Sequence, residues 1–306
     1  LFLRCQNGFL LKLYLKMTNL FKINKILSTT IFFLSLIFLS LFYLKINLII
    51  TTPVCFFLIA TIGISHGSLD HLKGYKILKF YKIKHKFLFY LIYVFVSLTV
   101  IFFWITLPLI TLCLFLIIAS FHFGKEDSSF DKIKKRNFIN FYFFLKGSII
   151  ILAPLWTNPE ETIKIFEILN SQFIDFKKNI IFLLIGISLL SNFLISKNIV
   201  IGLMDSLTVI ILNLIFSPLV AFTLYFCFLH SIRHTLSLIE EINSKNFKKG
   251  FLVFIKKALP LTLVTAFMFI VTIYFLRNYY VLDDAILKVI FIGLASLTFP
   301  HILLEY

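Results

Sequence analysis

The sequence predicts an all-α fold, a polytopic transmembrane helix bundle of about ten spans with its N-terminus in the cytoplasm. Three observations carry this. Hydrophobic residues make up 60% of the 306 residues and charged residues only 14%. The mean hydropathy is +0.99. The lysines gather between long apolar runs. A soluble chain of this length has no core large enough for so much apolar surface, so its solvent must be a bilayer. A spanning backbone satisfies its own hydrogen bonds as helices or as a closed barrel. The runs are continuous and do not alternate, which selects helices.

Residues 1–25 form a basic N-terminal segment in which Met17 is the candidate start, and 26–306 form a single transmembrane domain. Span one covers about residues 26–43 and span two about 46–66, followed by a loop holding Lys73, Lys76, Lys79, Lys82, Lys84 and Lys86. Span three covers about 87–106, Pro108 opens span four, which reaches His122, and a charged loop follows from Lys125. Span five covers about 138–154. The acidic stretch 156–178 has the pattern of a short interfacial helix. Spans six and seven cover about 179–195 and 199–216. Span eight follows the Ser217-Pro218 turn and ends at His234, and spans nine and ten cover about 258–275 and 285–304. With the N-terminus inside, every strongly basic loop is cytoplasmic, as the positive-inside rule requires. The net charge of +16 therefore belongs to loop lysines, and no nucleic-acid partner is expected. The four cysteines, Cys5, Cys55, Cys113 and Cys227, are scattered without a CxxC pair and read as buried apolar residues.

This topology brings six of seven histidines to one membrane level, the ends of spans two, four, eight and ten. Ionisable residues at membrane depth are costly and usually functional. His230 and His234 stand four apart, so a helix places both imidazoles on one face, about 40° apart. The bland reading of such a pair is two polar residues at a helix end. Arg233 beside them is a cation that favours unprotonated, ligating imidazoles. His66 and Asp70 also share a face, where a carboxylate can fix the tautomer of a ligating imidazole. His71 falls about 140° round from His66. His122 between two phenylalanines, and His301 after Pro300, each read alone as buried and satisfied. Together His66, His122, His230 and His234 read as a nitrogen-rich metal site without a carboxylate ligand. Imidazole suits zinc, copper, iron and nickel. A transporter whose histidines carry a metal or relay protons remains the rival reading. It would be expected to show internal repeats and broken helices at the midplane.

The patterns His66-Gly67-x-x-Asp70-His71, Phe121-His122-Phe123-Gly124, His230-Ser231-x-Arg233-His234 and Pro300-His301 resemble, in order and spacing, those of the Brp/Blh family of β-carotene 15,15′-dioxygenases. The resemblance covers roughly residues 45–306. It implies an inner-membrane, multi-pass enzyme that cleaves β-carotene centrally with O₂ to two molecules of retinal, which supply a microbial rhodopsin. It implies Fe(II) held by His66, His122, His230 and His234. Asp70, His71, Arg233 and His301 are expected to support those ligands or to orient substrate. Phe121, Phe123, Tyr225, Phe226 and Phe228 are expected to surround the ligands.

Overall fold

The computed structural model describes residues 26–41, 50–128, 138–171, 177–196, 199–244 and 246–305, without the side chain of His66. The basic segment 1–25, with Met17, lies outside the described residues. Among those described, the regular elements are helical. In chain order they are α1 (Ile26–Leu41), α2 (Thr52–Leu58), α3 (Asp70–Phe80), α4 (Phe87–Thr106), α5 (Pro108–Asp127), α6 (Ile139–Thr157), α7 (Pro159–Ile168), α8 (Lys178–Ile195), α9 (Ile199–Ile215), α10 (Pro218–Tyr225), α11 (Ser231–Ile242), α12 (Phe247–Leu276) and α13 (Leu282–Glu305). The fold is the expected all-α polytopic bundle. Eight helical stretches are long and apolar enough to cross a membrane, and α1 and α9 are shorter apolar helices.

Several starts follow simple rules. Proline occupies the first turn of α2, α5, α7 and α10, where its missing N–H costs nothing. The stretch 156–178 contains α7, the expected short helix. Elsewhere the helices extend beyond the apolar runs that mark the spans. Lys73, Lys76 and Lys79 belong to α3, not to a loop, and Lys248, Lys249, Lys256 and Lys257 belong to α12. Span four runs on through Glu126 to Asp127, and span eight continues past His234 to Ile242. The reason is common to all four. Falling hydrophobicity does not by itself stop a helix, and long lysines can lay their stems along it with the ammonium in water. At 30 residues α12 is about 45 Å long, well beyond a hydrocarbon core of about 30 Å.

Two wide, π-type turns interrupt the helices beside the histidines. Ile59–Gly63 follows α2, a 3₁₀ stretch Ile64–Leu69 leads on to α3, and Phe226–His230 joins α10 to α11. The two wide turns touch: Ser231 Oγ donates to Gly63 O at 3.1 Å. A Cβ on Gly63 would stand 2.6 Å from the Phe226 ring, so a larger residue there would have to displace that ring. Such turns add a residue to the helix and turn the following side chains to a new direction, often at functional sites.

The helix α5 that carries His122 lies against α6 at backbone contact. A Cβ on Gly124 would coincide with Phe143 O, and one on Gly147 with Ser120 O. Small residues permit this closeness in lipid, where dispersion between backbones replaces the hydrophobic effect. The C-terminus of α5 is held by cations. Lys146, buried on α6, donates to Asp127 O and to Ser128 Oγ, both at 3.1 Å, and Arg233 Nη1 donates to Asp127 O at 3.3 Å. Both charges meet carbonyls at the negative end of the helix dipole.

Candidate metal centre

Four buried imidazoles meet from distant parts of the chain. His122 stands one turn above the end of α5, His230 closes the second wide turn, His234 follows on α11, and His301 comes from α13. Ring centres lie 5.5 Å apart for His122 and His230, and 5.3 Å apart for His122 and His301 and for His234 and His301. Imidazoles that share one ion, each nitrogen about 2.1 Å from it, bring their ring centres to roughly 5 Å, so the spacing suits a common ion.

Carboxylates back three of these rings through Nδ1. His301 Nδ1 lies 2.8 Å from Asp70 Oδ1, His230 Nδ1 lies 3.4 Å from Asp127 Oδ1, and His234 Nδ1 lies 3.9 Å from Glu126 Oε2. The first is a full hydrogen bond and the other two are longer electrostatic contacts. An Nδ1–carboxylate pairing turns Nε2 away from the carboxylate and raises its basicity, which is the usual support for a metal-ligating histidine. The carboxylates are themselves held. Tyr93 donates to Asp70 Oδ2 at 3.0 Å, and Tyr225 donates to Asp127 Oδ2 at 2.7 Å. Ligating atoms of His234, His301 and Glu305 also lie within 4.8 Å of one another, and Lys73 pairs with Glu305. The donor chemistry therefore fits an imidazole-binding transition metal. Asp70, Asp127, Glu126 and Glu305 surround the histidines, the first three behind the Nδ1 atoms.

The predicted residues divide as follows. His122, His230 and His234 come together, and the side chain of His66, in the 3₁₀ stretch, lies outside the described residues. His301 stands among the imidazoles, and Asp70 is its partner. Arg233 does not face the histidines. It is turned to Asp205, 2.8 Å away, and donates to Ser28 Oγ at 3.0 Å and Thr29 Oγ1 at 2.8 Å, tying α11 to α9 and α1. A buried guanidinium needs a carboxylate, and Asp205 supplies it. His71 is 3.0 Å from Ser68 O through Nδ1 and stacks beside Tyr90. Of the aromatic residues, Phe123, Tyr225 and Phe226 lie on His230 at ring distances of 4.8, 6.3 and 5.7 Å, whereas Phe121 packs on Phe143.

The sequence does not mark Asp127 or Tyr93 as site residues: Asp127 sits in a charged stretch that reads as a loop, and Tyr93 inside an apolar span. One signal existed for Asp127: it follows Phe123 by four residues, on the same helical face as the apolar surface around His230.

Beside the imidazoles lies a cavity of about 380 Å³, with His122, His230 and His301 on its inner wall. Its outer wall includes Val94 and Leu98 of α4 and Val264 of α12, each more than half exposed. The cavity thus opens sideways through the apolar flank of the bundle.

The family profile described as beta-carotene 15,15′-dioxygenase matches residues 57–306, the whole of the site. The chain belongs to this family. A beta-carotene 15,15′-dioxygenase from an uncultured marine bacterium (66A03) is 30% identical over 256 residues, covering 81% of this chain and 90% of that relative. No solved structure matches. All four imidazoles, and the carboxylates that face them, fall within the segment matched to the family.

Proposed function

We propose that this protein cleaves β-carotene at its central double bond with O₂, giving two molecules of retinal with one oxygen atom in each aldehyde. It does so as a multi-pass protein of the inner membrane, N-terminus in the cytoplasm, and its product serves a microbial rhodopsin. The observation that carries this reading is the cluster of carboxylate-backed imidazoles on the inner wall of a cavity open to the apolar flank.

His66, His122, His230 and His234 are the proposed iron ligands, and geometry adds His301 to that set. Iron(II) would supply O₂ binding and activation beside the polyene. The chain's own part is placement and exclusion. Asp70, Asp127 and Glu126 aim their histidines, the wide turns set His230 below Phe226, and the apolar walls keep water from the reacting bond. β-Carotene lies in the bilayer, so a lateral opening between α4 and α12 admits it without passage through water. No proton transfer is required, and no acid or base is assigned. A transporter reading draws some support from the two interrupted helices, but family membership and the apolar cavity favour the oxygenase.

The test is expression in a β-carotene-accumulating bacterium supplied with iron, with retinal measured by chromatography. Loss of colour with retinal appearing is the expected result. Unchanged β-carotene beside folded, membrane-inserted protein would sink the reading.

A further inference from the structure

A second apolar cavity, of about 80 Å³, lies on the far side of Phe123. Its walls include Leu116 and Ala119 of α5, Ile150 of α6, Ile165 of α7 and Phe222 of α10. Phe123 belongs to the walls of both cavities. Its ring stands 4.8 Å from that of His230, edge to face, so the partition between the cavities is also the neighbour of the proposed ion. Phe222 stacks on Phe226 at 5.5 Å, and Phe226 stacks on His230, which gives a continuous row of rings from the histidines toward the second cavity. From Phe123 that cavity follows α5 back to Leu112, eleven residues, or roughly 16 Å of helix.

Cutting a long, rigid polyene at its midpoint requires room for two equal halves, one on each side of the reacting bond. The first cavity houses one half and leads out to the flank. The other half must continue past the histidines, and the second cavity, smaller as it stands and bounded by the Phe123 ring, lies there. We propose that this second cavity is the binding subsite for the far half of the carotenoid, and that Phe123 admits it and thereby sets where the chain is cut. The proposal rests on the β-carotene reading.

The test uses full-length, iron-loaded protein with two substrates, β-carotene and β-apo-8′-carotenal, which keeps one ring and its half of the polyene but is shortened at the other end. Leu116→Trp and Ile165→Trp fill the second cavity from two different helices, so the failure of one variant to accumulate leaves the other to answer. Each is expected to lower kcat/KM for β-carotene at least tenfold more than for the shortened substrate, with iron content unchanged. Phe123→Ala is expected to yield apocarotenals longer than retinal alongside it. Equal losses on both substrates, or no loss on either, would overturn the subsite. Wild-type protein that holds iron and cleaves neither compound would refute the dioxygenase reading itself, a separate outcome.

Discussion

His301 and Asp70, 231 residues apart, hold each other at 2.8 Å inside the bundle. The carboxylate fixes which imidazole nitrogen carries the proton, and Tyr93 and the His301 ring share its oxygens. Asp70→Asn keeps the size and removes the charge. It is expected to lower iron affinity or activity by about 10–100-fold, the usual cost of losing such a partner. Tyr93→Phe strips one donor from the same carboxylate and is expected to cost less. Iron titration of the purified variants orders the three proteins, and an Asp70→Asn variant with wild-type iron affinity would remove Asp70 from the support.

The imidazoles themselves give a graded set. His122→Ala, His230→Ala and His234→Ala are each expected to abolish retinal formation and to lower bound iron. His301→Ala is expected to lower bound iron as well, since its ring is as close to His122 as His230 is. His85 is exposed in the turn between α3 and α4, and His85→Ala is expected to leave both readouts unchanged. Full activity in any of the first three would exclude that residue as a ligand.

Iron removal supplies an independent check. Prolonged chelation is expected to stop cleavage, and ferrous iron to restore it. Zinc is expected to refill the same imidazoles without restoring activity, because it has no redox chemistry with which to handle O₂. Recovery with zinc would falsify the iron assignment.

Arg233 and Asp205 form a buried ion pair far more than a catalytic one. Removing one partner leaves the other buried and uncompensated, at about 3–5 kcal/mol. Asp205→Ala is therefore expected to lower the thermal midpoint in detergent and the yield of inserted protein. Arg233→Met with Asp205→Leu is expected to recover much of the loss, since well-packed apolar residues replace such pairs at little cost.

At the α5–α6 crossing, Gly124→Val and Gly147→Val are expected to prevent folding, since an added Cβ would overlap opposing backbone that has no rotamer to change. Gly186→Ala, with open space around it, is expected to be neutral. Protein yield after membrane extraction distinguishes them.

Much of this was legible in the residues. The spans follow from runs of apolar residues, and the Pro108 and Pro218 starts from backbone chemistry. His122, His230 and His234 were found together because a helix imposes a fixed angle per residue and lysines mark one membrane side. Partners were harder to read. Arg233 beside two histidines looked like their cation, but which way a side chain points depends on what packs there, and Asp205 lies on another helix. Asp127 looked like a loop residue because charge ordinarily marks the end of a span. It stays helical and buried because Tyr225 and His230 approach its carboxylate while Lys146 and Arg233 meet its carbonyl. The wide turns leave no trace in composition, because the contact that joins them, from the Ser231 hydroxyl to the Gly63 carbonyl, spans 168 residues.

The separation between Asp70 and His301 also sets an order of events during synthesis. The carboxylate enters the membrane with α3, whereas its imidazole partner arrives only with α13, after every other described helix has emerged. Tyr93, 23 residues behind Asp70, is the early companion that can shield the charge meanwhile. The imidazole ring around the proposed ion cannot close before the last helix docks. A half-made chain thus lacks the complete set of imidazoles, and on the proposed reading its chemistry waits until the bundle is whole.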